Sequence, residues 1–76
     1  MYKLDCNIDE IKKAVEIAGG IRELALKSGA SYQSVCNWLK GRSNPNPNFC
    51  IQIEKATEGK VKRNDIIPDF PWEKYD

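Results

Sequence analysis

The sequence predicts an all-α fold: five helices arranged around a central helix-turn-helix, followed by a short non-helical tail. Three observations predict it. Apolar residues recur at three- and four-residue spacings through most of the chain. Glycines and prolines punctuate that pattern at Gly19-Gly20, Pro45, Pro47, Gly59, Pro68 and Pro71. The stretch from Ile21 to Gly41 carries a small residue, Ala25, a glycine four positions later, Gly29, and a capping serine two after that, Ser31. Val35, Trp38 and Leu39 follow at helical spacing, so this stretch reads as two short helices joined by a tight turn.

The physical content of that central stretch lies in three positions. Ala25 is small because a second helix crossing over the first leaves no room for a longer side chain. Gly29 stands where the chain leaves the first helix, a place where glycine accepts positive φ without steric cost. Ser31 is placed to cap the second helix with its hydroxyl.

Taken in order, residues 1–6 read as a short lead-in, extended or frayed. Asn7 with Glu10 three residues on forms a capping-box pattern that starts the first helix. Ile8, Ile11, Ala14, Val15 and Ala18 make its apolar stripe, and Gly19-Gly20 stops it. The second helix is expected from Ile21 to about Ser28 and the third from Ser31 or Tyr32 to Lys40. A polar run from Arg42 to Asn48 links to the fourth helix, with Asn46 as cap and Pro47 at its first position. That helix is expected to reach Glu58 with Phe49 or Cys50, Ile53, Ala56 and Thr57 inward, and Gly59 ends it. Val61 to Ile67 reads as a fifth short helix or single turn, with Val61 and Ile66 closing the core. Prolines at 68 and 71 argue against a regular helix in the tail, which still carries Phe70, Trp72 and Tyr75. Three outcomes remain for it: folding back on the domain, meeting a second subunit, or disorder.

Seventy-six residues suit one domain, 1–76, with a small core. The chain has no histidine, and its three cysteines, Cys6, Cys36 and Cys50, form no Cys-x-x-Cys. Neither a zinc site nor a Ser/His or Cys/His nucleophile pair is expected, so the reading is a non-enzyme without metal or cofactor, its thiols buried or half-buried. No apolar run approaches a membrane span, and Met1 to Cys6 lacks the apolar core of a signal peptide. The expected place is the cytoplasm. So small a chain also leaves little room for an inducer pocket, and no small-molecule ligand is expected.

Net charge is only +1, but its distribution is uneven. Residues 31–63 carry six basic and two acidic side chains, whereas residues 64–76 carry one lysine against four acids and residues 1–10 one lysine against three. Such one-sidedness suits contact with phosphates. On the second helix of the motif, Tyr32, Gln33, Ser34 and Asn37 fall on the side opposite Val35, Trp38 and Leu39. They are uncharged hydrogen-bonding residues where a merely solvated helix would more usually carry lysine or glutamate. An α-helix fits the DNA major groove, where Gln33 and Asn37 can each pair bidentately with adenine. Tyr32 can reach a phosphate or pack on a thymine methyl. Trp38, on the Val35 side, is expected in the core and not stacked on a base.

Phosphate contacts are expected on both flanks of this helix. One group lies at the start of the preceding helix: Gly20, Ile21 and Arg22, with backbone amides open to an anion. The other comprises Lys40, Arg42, Ser43, Asn44 and Asn46, and Ser31 adds a contact at the turn. Lys60, Lys62 and Arg63 are either a solvated face or distant phosphate contacts.

The order of helices, the motif from Ile21 to Gly41 and the segment Ile53-Glu-Lys-Ala-Thr-Glu-Gly-Lys-Val-Lys-Arg-Asn-Asp-Ile-Ile-Pro-Asp69 resemble the small Cro-type regulators of bacteriophages and prophages, in particular the YdaS-like group. The resemblance covers about residues 8 to 69. It implies a lambda-repressor-like DNA-binding domain and a repressor that binds double-stranded DNA as a homodimer on a short, roughly two-fold symmetric operator. Lys62 stands where the group usually has a hydroxyl cap. An alternative from another class is an antitoxin-type interaction protein that captures a toxin through the aromatic tail and regulates its own promoter. A third is an adaptor that has lost DNA binding.

Overall fold

The computed structural model describes residues 6–75, Tyr75 by its backbone only; the expected lead-in at residues 1–5, the Tyr75 side chain and Asp76 lie outside the described residues. The chain is all-helical there, in the order α1 (Ile8–Ala18), α2 (Ile21–Ser28), α3 (Tyr32–Lys40), α4 (Pro47–Ala56), α5 (Arg63–Ile66) and α6 (Trp72–Tyr75).

Helix α1 begins where Asn7 Oδ1 accepts from the Asp9 N–H at 3.1 Å. The second half of the expected capping box does not form. The Asn7 N–H donates to the Ile66 carbonyl at 2.7 Å instead, so a tertiary bond to α5 takes the proton that Glu10 would have received. Ile11, Ala14 and Ala18 point into the core. The helix ends at Gly19, whose N–H returns to Val15 and Glu16 carbonyls.

Helix α2 lies at the centre and packs on α1, α3 and α4. Its buried side consists of Leu24, Ala25 and Ser28. The Ser28 hydroxyl can be buried because it donates to the Leu24 carbonyl at 2.7 Å. Gly29 takes the left-handed conformation at φ +76°, and its N–H donates to the Ala25 carbonyl. Two residues on, Ser31 Oγ accepts from the Ser34 N–H at 3.1 Å and starts α3 as expected.

Val35 and Trp38 of α3 are buried, Trp38 to 2% exposure. The Trp38 ring meets Phe49 of α4 at a centroid distance of 5.4 Å, tilted by 55°, a geometry that suits two ring quadrupoles. Asn46 caps α4 by accepting from the Phe49 N–H at 2.9 Å, with Pro47 in the first turn. Between the two inward candidates at the start of α4, Cys50 is the fully buried one and Phe49 is half-buried. Pro45, not anticipated, is fully buried as well.

The fourth helix ends two residues earlier than expected, at Ala56. The cause is Thr57, wholly buried, whose hydroxyl donates to the Ile53 carbonyl at 2.9 Å and accepts from the Val61 N–H at 3.1 Å. That clasp pulls the chain off the helix axis, and Glu58 follows at φ +55° with Gly59 at +81°. Helix α5 has no side-chain cap from Lys62. Glu54 of α4 supplies one instead, its Oε1 accepting from the Arg63 N–H at 2.8 Å. Val61, Ile66 and Ile67 then close the core.

The tail folds back on the chain. Trp72 is 6% exposed, its indole Nε1 donates to the Ile67 carbonyl at 2.8 Å, and Phe70 packs on its ring at 4.5 Å. A one-turn helix, α6, stands where prolines 68 and 71 predict none. Pro71 lies just before this turn, and its carbonyl accepts from the Lys74 N–H. Proline at a helix entrance costs no hydrogen bond, which is why the turn can form.

Candidate nucleic-acid interface

The candidate surface is built on α3. Burying Val35 and Trp38 on one side of a nine-residue helix leaves the opposite side outward. Tyr32, at 56%, and Gln33 are exposed, while Ser34 and Asn37 are half-buried on the flanks of the same helix. All four expected base-reading residues therefore share α3, and two of them carry most of the exposed area.

Their hydrogen bonds are partly committed. Ser31 Oγ donates to Ser34 Oγ at 2.9 Å, so the Ser34 hydroxyl keeps its own proton as a donor. Gln33 Nε2 donates to Asn37 Oδ1 at 3.2 Å, a contact that the reading of each residue as a separate adenine partner did not include. The signal was present in the spacing, since glutamine and asparagine four apart on a helix face meet each other. The Asn37 backbone carbonyl accepts the Arg42 N–H at 2.9 Å, which ties the basic loop after α3 to the end of that helix.

The expected phosphate-contacting residues occupy two places. Gly20 caps α2 without any side-chain hydrogen bond, Ile21 is half-buried and Arg22 is exposed beside it. Lys40, Arg42, Ser43, Asn44 and Asn46 are exposed on and after the end of α3. Arg22, Lys40 and Arg42 form no ion pair among the described residues, so their charge is available to solvent or a ligand. Three of the polar positions already have structural duties. Ser31 and Asn46 are helix caps, and Asn44 Oδ1 accepts from the Cys6 N–H at 3.4 Å. Of the more distant cations, Arg63 is tied to Glu54 with Nε 3.1 Å from Oε1 and stands over the Trp72 ring at 6.0 Å. Its guanidinium is engaged in the fold, which leaves Lys60 and Lys62 exposed on that side.

Two features were not singled out in the sequence. Leu26 is 69% exposed on α2, four residues after Arg22 and on the same side of that helix. Glu54, given no role of its own in the sequence, holds the start of α5, and its carboxyl is held below the usual range by the Arg63 guanidinium and backbone N–H. Cys50 sits in the core with its thiol pushed up to about 12, first by burial and then by the neighbouring Cys6. Among the described residues no group of three or more cysteines, aspartates and glutamates could hold a metal ion, and no helix is long and apolar enough to cross a membrane.

Comparison with known proteins bears on the whole of this architecture. A family profile described as Bacterial toxin YdaS matches residues 11–75. The regulatory protein cro of Pseudomonas phage D3 is 34% identical over 62 residues, 82% of this chain and 85% of that protein. YdaS of Escherichia coli (strain K12), named as a candidate transcriptional regulator, is 36% identical over 61 residues, 80% of this chain and 62% of that protein. No solved structure matches at comparable significance. With nearly the full run from α1 to α6 inside the matched region, the chain belongs to the YdaS family.

Proposed function

We propose that this protein is a sequence-specific DNA-binding transcriptional regulator without enzymatic activity, a Cro-like repressor of phage or prophage type that binds a short symmetric operator as a dimer. One observation carries the reading: α3 presents Tyr32 and Gln33 outward with Ser34 and Asn37 on its flanks, away from buried Val35 and Trp38, and the basic side chains at 22, 40 and 42 on neighbouring segments form no ion pair among the described residues. A helix of that kind enters the major groove with its N-terminal part, and phosphates on either side are met by amides and cations. The names of the phage and bacterial relatives support the same class.

The interaction-protein alternative is an antitoxin, whereas the family description is of a bacterial toxin, so that description does not support it. It needs the aromatic tail free for a partner, and the burial of Trp72 against Ile67 favours the DNA-binding reading over it. Selection of bound duplexes from a random pool tests the proposal. The expected result is a two-fold symmetric consensus bound by two copies of the chain; recovery of unrelated sequences with uniform salt-sensitive affinity would overturn it.

A further inference from the structure

Gln33 and Asn37 lie one turn apart on the outer side of α3 and are joined by the Nε2 to Oδ1 hydrogen bond of 3.2 Å. An amide nitrogen has two protons and a carbonyl oxygen two lone pairs, so this contact uses one of each and leaves both groups able to meet a base. What it removes is their independence. Gln33 is exposed and its side chain is long, and ordering such a side chain on binding costs entropy. Asn37 is shorter and half-buried, and its backbone carbonyl holds the Arg42 N–H where the basic loop begins. The rigid member therefore holds the flexible one.

We propose that Gln33 and Asn37 read the groove as one coupled unit, in which Asn37 both touches a base and acts as the positioning residue that fixes the plane of the Gln33 amide. The inference rests on the DNA-reading role of α3. Along the unit the free capacity runs from the Gln33 Oε1 acceptor at one end to the Asn37 Nδ2 donor at the other. It suits a base step that offers an exocyclic amino group, as in adenine or cytosine, beside a carbonyl or N7 acceptor, as in guanine or thymine.

The experiment is pool selection followed by a double-mutant cycle, using the full chain and its variants Q33A, N37A, N37D and Q33A/N37A. N37A is expected to relax preference at its own base pair and also at the one that Q33A relaxes. On the consensus site, the loss in the double variant is expected to fall short of the product of the single losses by at least about threefold. N37D keeps an acceptor for the Gln33 amide, so it is expected to retain the preference at the Gln33 position while changing its own. Loss of both preferences in N37D, or single losses that multiply within experimental error, overturns the coupling. A protein that selects a consensus but shows multiplicative losses refutes this inference alone, whereas one that selects no consensus refutes the DNA-reading function beneath it. Melting temperatures of all variants are expected to match the parent, because neither side chain belongs to the core.

Discussion

A single carboxylate oxygen, Glu54 Oε1, accepts both the backbone N–H of Arg63 at 2.8 Å and its guanidinium Nε at 3.1 Å. The two residues join α4 to the start of α5 and replace the missing side-chain cap at Lys62. Because hydrogen bonds from Arg63 lower the Glu54 pKa, the native state favours the ionised form. Its stabilisation is fully present above the ordinary carboxylate range and is lost as pH falls through the depressed native value. Glu54→Gln is expected to cost about 1 kcal/mol at neutral pH, a figure kept low because both side chains are partly solvated. Denaturation at stepwise lower pH checks this: the gap between parent and variant should close in acid.

Cys50 supplies the opposite sign. Its buried thiol keeps its proton to about pH 12 in the folded chain, whereas an unfolded cysteine titrates near 8.5. Between those values the native state binds more protons, so stability should fall as pH rises above about 9. Cys50→Ala is expected to reduce that alkaline slope, although it lowers stability at neutral pH by about 1–2 kcal/mol through the cavity it leaves. Thiol labelling read by mass spectrometry should also modify Cys50 only in molecules that have unfolded.

Gly20 and Gly29 separate backbone strain from packing, since a Cβ at either would meet nothing within 4 Å. Gly29 lies at φ +76°, in the left-handed helical region, where an alanine is expected to cost about 1 kcal/mol. Gly20 lies at φ +137° and ψ 170°, a region that side chains shun, and Gly20→Ala is expected to cost about 2–3 kcal/mol. Urea denaturation of the two variants gives the comparison directly; equal losses would mean that conformation is not the cause.

Trp72 anchors the tail by burial and by its bond to the Ile67 carbonyl. Trp72→Ala is expected to destabilise the fold by about 3 kcal/mol, in the range for a large buried aromatic. Trp72→Phe keeps most of the packing but removes the indole donor and leaves the Ile67 carbonyl only the 3.4 Å bond from the Phe70 N–H, so about 1 kcal/mol is expected. Thermal melting orders the three proteins.

Gln33 and Arg42 are expected to fail in different ways. Gln33→Ala should lose about 1–3 kcal/mol on the selected duplex and blur one base position. Arg42→Ala should weaken binding to every duplex and lower the salt slope by about 1. Titrations on selected and random DNA at several salt concentrations distinguish them.

How much of this was legible in the chain depends on how far apart the interacting residues lie. The Asn7, Ser31 and Asn46 caps, the Gly29 turn and the inward face of Val35 and Trp38 were readable, because each depends on residues within about one turn of helix. The same locality explains the failures. Glu10 matched the capping-box pattern, yet Ile66, 56 positions after it, took the Asn7 proton. Glu54 reached nine residues ahead to cap α5, whereas Thr57 shortened α4 through a bond only four residues on, to Val61, where a continued helix and a turn competed locally.

The sequence by itself determined the helical class, the turn between α2 and α3 and the polar identity of the α3 surface, since periodicity and backbone preference act over a few residues. Only the tertiary structure decided that Trp72 folds back over the Ile67 carbonyl, that Arg63 belongs to the fold and not to the basic surface, and that Pro45 is core. Such choices turn on which groups lose water when helices close on one another, and a linear pattern holds no record of that competition.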